Sequence, residues 1–216
     1  MTYAISYLFR ALATGVDYIQ KCFPSSADIM VEMPRFGANE WKVHLRLDVE
    51  SPEIPENILK ALEEPCPNHP EKLKKETHLL CLAPDIETLK QLTHSPDLKS
   101  RLDRYKATSP KAGPYWFLIT KAVVPSTEYS FDFQKKLLSE KGYDAPYLIE
   151  AAVASYAAQV VGNFKIFHGE YNYTKCYETF DQLFGTGHIA VGGESHFEIT
   201  VYNSVANTNG IAGVIR

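Results

Sequence analysis

Apolar residues recur at three- and four-residue spacing in several segments of the chain, which predicts a series of amphipathic helices. These helices are expected at residues 1–23, 56–62, 85–104 and 132–141. Asp85 can cap the start of the third segment, and Pro96 divides that segment into two pieces. Gly142 follows the fourth segment, at a position where the end of a helix favours a residue with positive φ.

Residues 147–161 differ from these segments because they are apolar on nearly every face of a helix. A helix of this composition is expected to be buried through the middle of the fold. Its alanines allow neighbouring elements to approach closely.

Other segments have the pattern of strands. They are expected at residues 41–47, where apolar and polar residues alternate, at the short apolar runs 77–83 and 115–120, and in the tail at 188–201 and 210–215. Paired glycines and an Asn-Gly step within the tail indicate a closing antiparallel hairpin. Together the elements predict an α+β fold, in which a mixed or antiparallel sheet packs on several helices, one of them buried.

No internal repeat or low-complexity segment divides the chain, so we expect an N-terminal amphipathic helix with its connector at 1–35 and one α+β domain at 36–216. Arg10 and Asp17 interrupt the first helix, which excludes a membrane-spanning segment there. The segment also lacks the basic start of a secretory signal. Packing on the core is its expected role. Docking on a membrane surface is disfavoured by its few cations, and docking on a partner helix stays open.

Composition narrows the class of partner. The chain has 216 residues, of which 45% are hydrophobic and 22% charged, so it can bury a core and is not a disordered protein. Its net charge of -4 provides no basic surface for nucleic acid, and nucleic acid is not an expected partner. The four cysteines are dispersed, which favours reduced thiols in a cytosol-like compartment.

Two pairs of residues have the spacing of a zinc site. Cys66 and His69 form the first pair, and His78 and Cys81 form the second. On an expected strand, however, residues three apart point to opposite faces, so His78 and Cys81 would not bind one ion. We therefore expect no metal and no cofactor.

Other candidate chemistry is less specific. Cys176 could act as a nucleophile with His168 or His196, although a structural thiol is the simpler interpretation. Neither of the glycine clusters, at 185–187 and 192–193, has the pattern of a phosphate-binding loop. A group of aromatic residues could stack on a planar ligand or serve in ordinary packing; it contains Phe167, Tyr171, Tyr173, Tyr177 and Phe180.

A series of short motifs resembles, in order, an uncharacterised domain that recurs in proteins of intracellular, chlamydia-like bacteria. In the first half the motifs are FGANEW at 36–41, IPENI at 54–58, PCP at 65–67 and THLL at 77–80. In the second half they are PYW at 114–116 with Leu118 and Thr120, GY at 142–143, EAA at 150–152, YTKC at 173–176 with Glu178, VGG at 191–193 and GIAG at 210–213.

The chain departs from that domain at three places. Asn68 and His69 stand where the domain has Phe and Trp, and Cys81 replaces an aliphatic residue, so half of the zinc pattern belongs to this chain alone. Glu194 replaces the aromatic residue that follows the paired glycines. The resemblance implies a host-directed effector or adaptor, cytoplasmic or delivered to a host cytosol without a cleavable signal.

We therefore expect a non-catalytic recognition domain that binds a host or bacterial protein, or a planar small ligand such as a nucleotide. Its ligand site is expected where three motifs converge, at Tyr115, Trp116, Lys121, Tyr173, Thr174, Gly192 and Gly193. The alternative is an enzyme, either cysteine-dependent through Cys176 or acid/base through Lys121 and Glu150, with Tyr173 orienting the substrate.

Overall fold

Helices and strands follow one another irregularly along the chain, in the α+β arrangement that the hydrophobic pattern predicts. The structure is a computed structural model that describes residues 35–91, 96–124, 130–158, 160, 166–167, 173–182, 185–192, 198–202 and 210–216. All of them belong to one unit, Pro34–Arg216. The predicted helix at 1–23 lies outside the described residues.

The described residues form seven helices and nine strands. The helices are α1 Ala38–Leu45, α2 Glu56–Leu62, α3 Lys74–Thr77, α4 Ile86–Lys90, α5 Pro96–Arg104, α6 Phe131–Glu140 and α7 Leu148–Ala157. The strands are β1 Arg35–Phe36, β2 Pro65–Cys66, β3 His69–Leu73, β4 His78–Ala83, β5 Tyr115–Val124, β6 Tyr173–Gln182, β7 Gly185–Gly192, β8 Glu198–Tyr202 and β9 Ile211–Ile215.

A mixed four-stranded sheet carries most of the core. Its strand order is β1-β4-β5-β9, with β1 parallel to β4 and the other neighbours antiparallel. Every residue of β4 is buried, as is β5 from Tyr115 to Thr120. The predicted strands at 77–83 and 115–120 are confirmed, and β5 is an interior strand. Continuous apolar runs suit these positions because both faces of a central strand are covered.

Helix α7 is buried on all sides, as its composition predicts. Ala151, Ala154 and Ala157 are fully buried. The helix contacts β4 of the mixed sheet and β6 and β7 of a second sheet. Alanine side chains are short enough to let one helix lie against both sheets at once.

The second sheet is antiparallel, with strand order β6-β7-β8. The tail therefore does form an antiparallel pair, β7 with β8, but β9 crosses to the mixed sheet and pairs with β5. Two hydrogen bonds link the start of β6 to β9: Lys175 N–H donates to Gly210 O, and Ala212 N–H donates to Thr174 Oγ1. The two sheets are thus joined directly at this corner.

The predicted helices at 85–104 and 132–141 are confirmed in the described residues, the first as α4 and α5 and the second as α6. Asp85 caps α4 by accepting a hydrogen bond from Thr88 N–H at 2.8 Å, and Pro96 is the first residue of α5. Gly142 follows α6 with φ of +77°, a conformation that favours glycine.

The predicted strand at 41–47 is wrong, because residues 38–45 form helix α1. Glu40 accepts a hydrogen bond from Gly37 N–H at 2.8 Å, which closes the first turn. Trp41 and Leu45 are both buried, at the four-residue spacing of one helix face. Trp41 Nε1–H also donates to Leu82 O at 2.8 Å, a tertiary contact that a local alternation of residues does not reveal.

Candidate binding surface

A bulge in β6 organises the surface of the second sheet. The pairing of β6 with β7 shifts register between Lys175 and Thr179. Within this gap Tyr177 N–H donates to Pro146 O at 2.9 Å instead of to β7. His188 Nδ1 lies 3.2 Å from Cys176 O, and because a carbonyl only accepts, Nδ1 carries the proton. The bulge thereby directs Tyr177 toward helix α6.

Four half-buried rings then form one continuous row, which we call the aromatic surface: Phe131, Tyr147, Tyr177 and His188. The centroids of Tyr147 and Tyr177 are 5.0 Å apart, and those of Tyr177 and Phe131 are 6.1 Å apart. Phe131 stacks on His188 at 3.9 Å with 18° between the planes. The inner sides of Phe131 and Tyr177 pack on a buried cluster that includes Leu138.

Two cations flank the aromatic surface. Lys135 Nζ lies 4.7 Å from the centroid of the Tyr177 ring. The guanidinium of Arg216 lies 5.1 Å from the centroid of the Tyr147 ring. Both distances are within the range of cation–π attraction, so positive charge is held against the rings.

A buried carboxylate fixes the Arg216 end of this surface. Glu150, in the first turn of α7, is fully buried. It accepts hydrogen bonds from Arg216 at 2.7 and 2.8 Å, from Tyr147 N–H at 2.8 Å and from the Tyr115 hydroxyl at 3.2 Å. Glu150 therefore holds both the cation and the aromatic residue that the cation covers.

A second carboxylate, that of Glu178, follows Tyr177 on β6. It accepts hydrogen bonds from Leu148 N–H at 2.7 Å and from the backbone and hydroxyl of Thr108, both at 3.1 Å. Glu178 and Glu150 thus satisfy separate backbone N–H groups at the start of α7, where carboxylates are favoured.

The ionisation of these groups follows from their surroundings. Burial, and then the charge of Glu150, raises the pKa of the Tyr115 hydroxyl. Burial also raises the pKa of Glu178, and the hydrogen bonds that it accepts lower the pKa by less than burial raises it. For Arg216 burial alone would lower the pKa, but Glu150 and Asp144 together raise it. Burial lowers the pKa of His188, and the nearby charge of Lys175 acts in the same direction.

The structure does not bring the three predicted ligand motifs together. Trp116 is buried, and its Nε1–H donates to Pro52 O at 2.8 Å. Thr174 is beside Ala212, which pairs with Val123 at the other end of β5. At the rise of an extended strand, Trp116 and Val123 are about 23 Å apart. Trp116 and Thr174 therefore cannot contact the same small ligand.

The remaining predicted ligand residues are divided between these two ends. Tyr173 and Gly192 are paired partners on β6 and β7, so this part of the expected site is assembled. Gly193 lies outside the described residues. Tyr115 is buried against Glu150, at the end of β5 that carries Trp116.

Lys121 and Glu150, the predicted acid/base pair, also lie apart. Lys121 Nζ donates to Glu76 O at 3.0 Å, next to the start of β4. Glu150 binds Tyr115, which pairs with Ala83 at the end of β4. Residues 116–120 of β5 separate Tyr115, which binds Glu150, from Lys121. Glu150 and Lys121 therefore lie at opposite ends of the β4–β5 pair.

Cys176 is fully buried, and burial raises the pKa of its thiol well above the usual value. A nucleophilic cysteine needs a lowered pKa and access to substrate, so this environment is the opposite of what cysteine catalysis requires. The partners considered for it, His168 and His196, lie outside the described residues.

The residues of the zinc pattern have other contacts. His78 is fully buried, with Nδ1 2.8 Å from Thr77 Oγ1 and Nε2 3.0 Å from the Tyr143 hydroxyl. Burial lowers the pKa of His78 to about 3, which keeps the ring neutral. Cys66 pairs with His69 in the β2–β3 hairpin. In the described part of the chain no group of three His, Cys, Asp or Glu residues is placed to hold a metal ion.

Sequence reasoning identified Tyr177 within an aromatic group but missed most of the aromatic surface. The missed residues are the rings of Phe131, Tyr147 and His188 together with the two flanking cations, Lys135 and Arg216. They come from separate elements, two on α6, one before α7, one on β7 and one after β9. No spacing rule connects such positions, because only the packing of α6 and α7 around β6 brings them together.

Comparison of the chain with family models, with curated proteins and with solved structures finds no significant match. Of the helices in the described ranges, none has the length and apolar composition needed to cross a membrane.

Proposed function

We propose that this chain is a recognition domain that binds a planar aromatic ligand on the aromatic surface. The observation that supports the proposal is the row of four half-buried rings with a cation at Tyr177 and another at Tyr147. Binding sites for small ligands are commonly lined by aromatic side chains with a few fixed polar groups. Arg216, which Glu150 holds in place, is such a group here, and Lys135 adds a second positive charge.

The accessible parts of the rings give this surface its binding capacity. Each ring packs on its neighbour, which limits the conformational freedom that a ligand would otherwise have to restrict. A planar ligand that stacks on one ring gains about 0.5–1.5 kcal/mol beyond the area that it buries. Several contacts of this size along one row are sufficient for specific recognition of a small molecule.

The placement of the titratable groups favours recognition over catalysis. Glu150 and Glu178 are engaged in holding the start of α7, and the thiol of Cys176 is fully buried. These groups therefore stabilise the scaffold of the surface and do not face a substrate on it.

The resemblance to the domain of chlamydia-like bacteria supports a setting for this module. Within the proposal, it belongs to an effector or adaptor of an intracellular bacterium and acts in the bacterial or host cytosol. A planar metabolite such as a nucleotide is the preferred ligand, because the cations favour a ligand with negative charge.

The proposal is tested by screening planar aromatic compounds, including nucleosides and nucleotides, by ligand-observed NMR. Compounds that bind the wild-type protein should lose most of their signal change with Tyr177→Leu. The matched control is Tyr156→Leu, because Tyr156 is also a half-buried tyrosine on a packed ring pair, with Phe36 at 6.2 Å, outside the aromatic surface. Equal binding by both variants, with both folded, would show that the aromatic surface is not the site.

A further inference from the structure

Lys175 is a buried cation on the strand that carries Tyr177 of the aromatic surface. It precedes Tyr177 by two positions on β6, and only 5% of its surface is exposed. Lys175 points toward α6, which Tyr177 also contacts through the Phe131 ring. There its Nζ lies 3.4 Å from Oε1 of Gln134, a fully buried residue of α6.

This ammonium group is poorly compensated. Among the described residues, no carboxylate oxygen lies within 4.0 Å of Lys175 Nζ. The hydrogen bond to the neutral amide of Gln134 is long, at 3.4 Å. Water molecules would give an ammonium ion shorter and stronger hydrogen bonds. Burial accordingly lowers the pKa of Lys175. Buried charges in proteins are ordinarily paired, so a missing counter-ion points to one that comes from outside the fold.

The side chains near Lys175 indicate what kind of molecule would carry such a counter-ion. The His188 ring stacks on Phe131 at 3.9 Å. Burial and then the charge of Lys175 lower the pKa of His188, whereas the charge of Asp132 raises it. Lys135 lies over the Tyr177 ring. The surface that Tyr177 forms beside Lys175 therefore carries ring faces and a second positive charge.

We propose that Lys175 binds the anionic group of an aromatic ligand whose ring lies on the aromatic surface, an assignment that rests on the proposed function. A phosphate monoester or a carboxylate would accept a hydrogen bond from Lys175 Nζ in place of Gln134 Oε1. Either oxyanion also supplies the charge that the fold leaves uncompensated. The shared chemistry is thus a ring joined to an oxyanion.

Isothermal titration calorimetry with two matched pairs of probes tests this assignment. Adenosine 5′-monophosphate is compared with adenosine, and 4-hydroxyphenylacetate with 4-hydroxyphenylacetamide. In at least one pair the anion should bind about 10-fold or more tightly than its neutral partner. The pair that responds distinguishes a phosphate ligand from a carboxylate ligand.

Lys175→Gln should remove the advantage of the anion and leave the affinity for the neutral partner unchanged. Lys121→Gln is the matched control, because Lys121 is another lysine on a strand whose pKa burial lowers, and it contacts Glu76 O away from the aromatic surface. It should bind both members of each pair as the wild type does. Lys175→Met provides a second variant, and urea unfolding confirms that each variant folds.

Three results would overturn the assignment. They are equal binding of the anion and its neutral partner, an anion affinity that Lys175→Gln leaves unchanged, and no binding of either anion. Neutral probes that bind the wild type and are lost in Tyr177→Leu would then show that the aromatic surface is still the site. Failure of the Lys175 assignment is therefore distinguishable from failure of the proposed function.

Discussion

Two cations near the aromatic surface, the half-buried Arg216 and the buried Lys175, have opposite surroundings. The guanidinium of Arg216 donates to both oxygens of Glu150, to Asp144 and to Ala145 O, all at 2.7–2.9 Å. Lys175 has the amide of Gln134 at 3.4 Å. One charge is fully matched within the fold, and the other has no carboxylate partner among the described residues.

The difference separates a structural role from a binding role. Removing one member of a well-matched buried pair leaves the other charge stranded, so such a pair is needed for stability. A buried charge without a partner weakens the fold, and its replacement by an apolar residue of similar size is tolerated. We therefore expect loss of Arg216 to destabilise the fold, in addition to any effect on the aromatic surface, and loss of Lys175 to affect binding alone.

The largest loss of stability is expected from placing a charge in α7, the helix that contacts both sheets. Ala154 of α7 is fully buried, and Ala154→Asp places an unpaired charge in the core. Stability should fall by about 5 kcal/mol or more, with loss of the cooperative transition in urea. Val43→Asp, at a position on α1 that is 64% exposed, should change stability by less than about 0.5 kcal/mol. An unchanged transition for Ala154→Asp would contradict the burial of α7.

The second-largest loss of stability is expected from replacing Arg216, the cation that is paired with Glu150. Arg216→Met leaves the fully buried Glu150 without its cation and should cost about 3–5 kcal/mol of unfolding free energy. Arg216→Lys keeps the charge but loses the paired geometry, so its loss should be smaller. Urea denaturation measures both variants. A loss of less than about 1 kcal/mol for Arg216→Met would remove the contrast with Lys175.

Replacing Lys175, which has no carboxylate partner among the described residues, should change the free energy of unfolding only slightly. Lys175→Met removes a buried charge and keeps most of the side-chain volume, so we expect a change within about 1 kcal/mol, in either direction. The same urea measurement applies. A loss as large as that of Arg216→Met would mean that Lys175 has a strong partner within the fold.

The smallest effect is a dependence on alkaline pH. The folded-state pKa of Lys175 is lowered from 10.5, so between the two values the unfolded chain binds more protons than the folded one. Stability contributed by this residue therefore rises as the pH increases toward 10.5. Arg216, whose pKa is raised, stays charged throughout this range.

As the pH rises toward 10.5, the free energy of unfolding of the wild type should therefore increase relative to that of Lys175→Met. Other lysines, tyrosines and cysteines titrate in both proteins, so they cancel in the difference. A constant difference across this range would contradict the lowered pKa of Lys175.

The elements that the sequence predicted well are those with redundant local signals. Strand β5 and helix α7 are apolar runs long enough to be recognised, and Asp85 and Gly142 mark helix ends through their own backbone preferences. Helix α1 was misread because its short pattern fits either period, and the deciding contact is made by Trp41 with Leu82 on another element.

The candidate site was less predictable than the fold. Tyr115 and Thr174 have polar groups that suggest ligand contact, yet both hydroxyl groups bind other parts of the fold. Whether a hydroxyl or carboxylate faces a ligand or a neighbouring strand depends on the partners within about 3 Å, and residue type alone does not specify them.

By itself the sequence determined the α+β class, the buried helix α7 and the central strands β4 and β5, because burial and periodicity act locally along the chain. Only the tertiary structure decided that Phe131, Tyr147, Tyr177 and His188 form one row. It also decided that Arg216 donates hydrogen bonds to the carboxylate of Glu150, whereas Lys175 contacts the neutral amide of Gln134. The physical reason is that charge compensation and ring stacking depend on distances of a few ångströms between segments far apart in sequence, and those distances are set by packing of the whole domain.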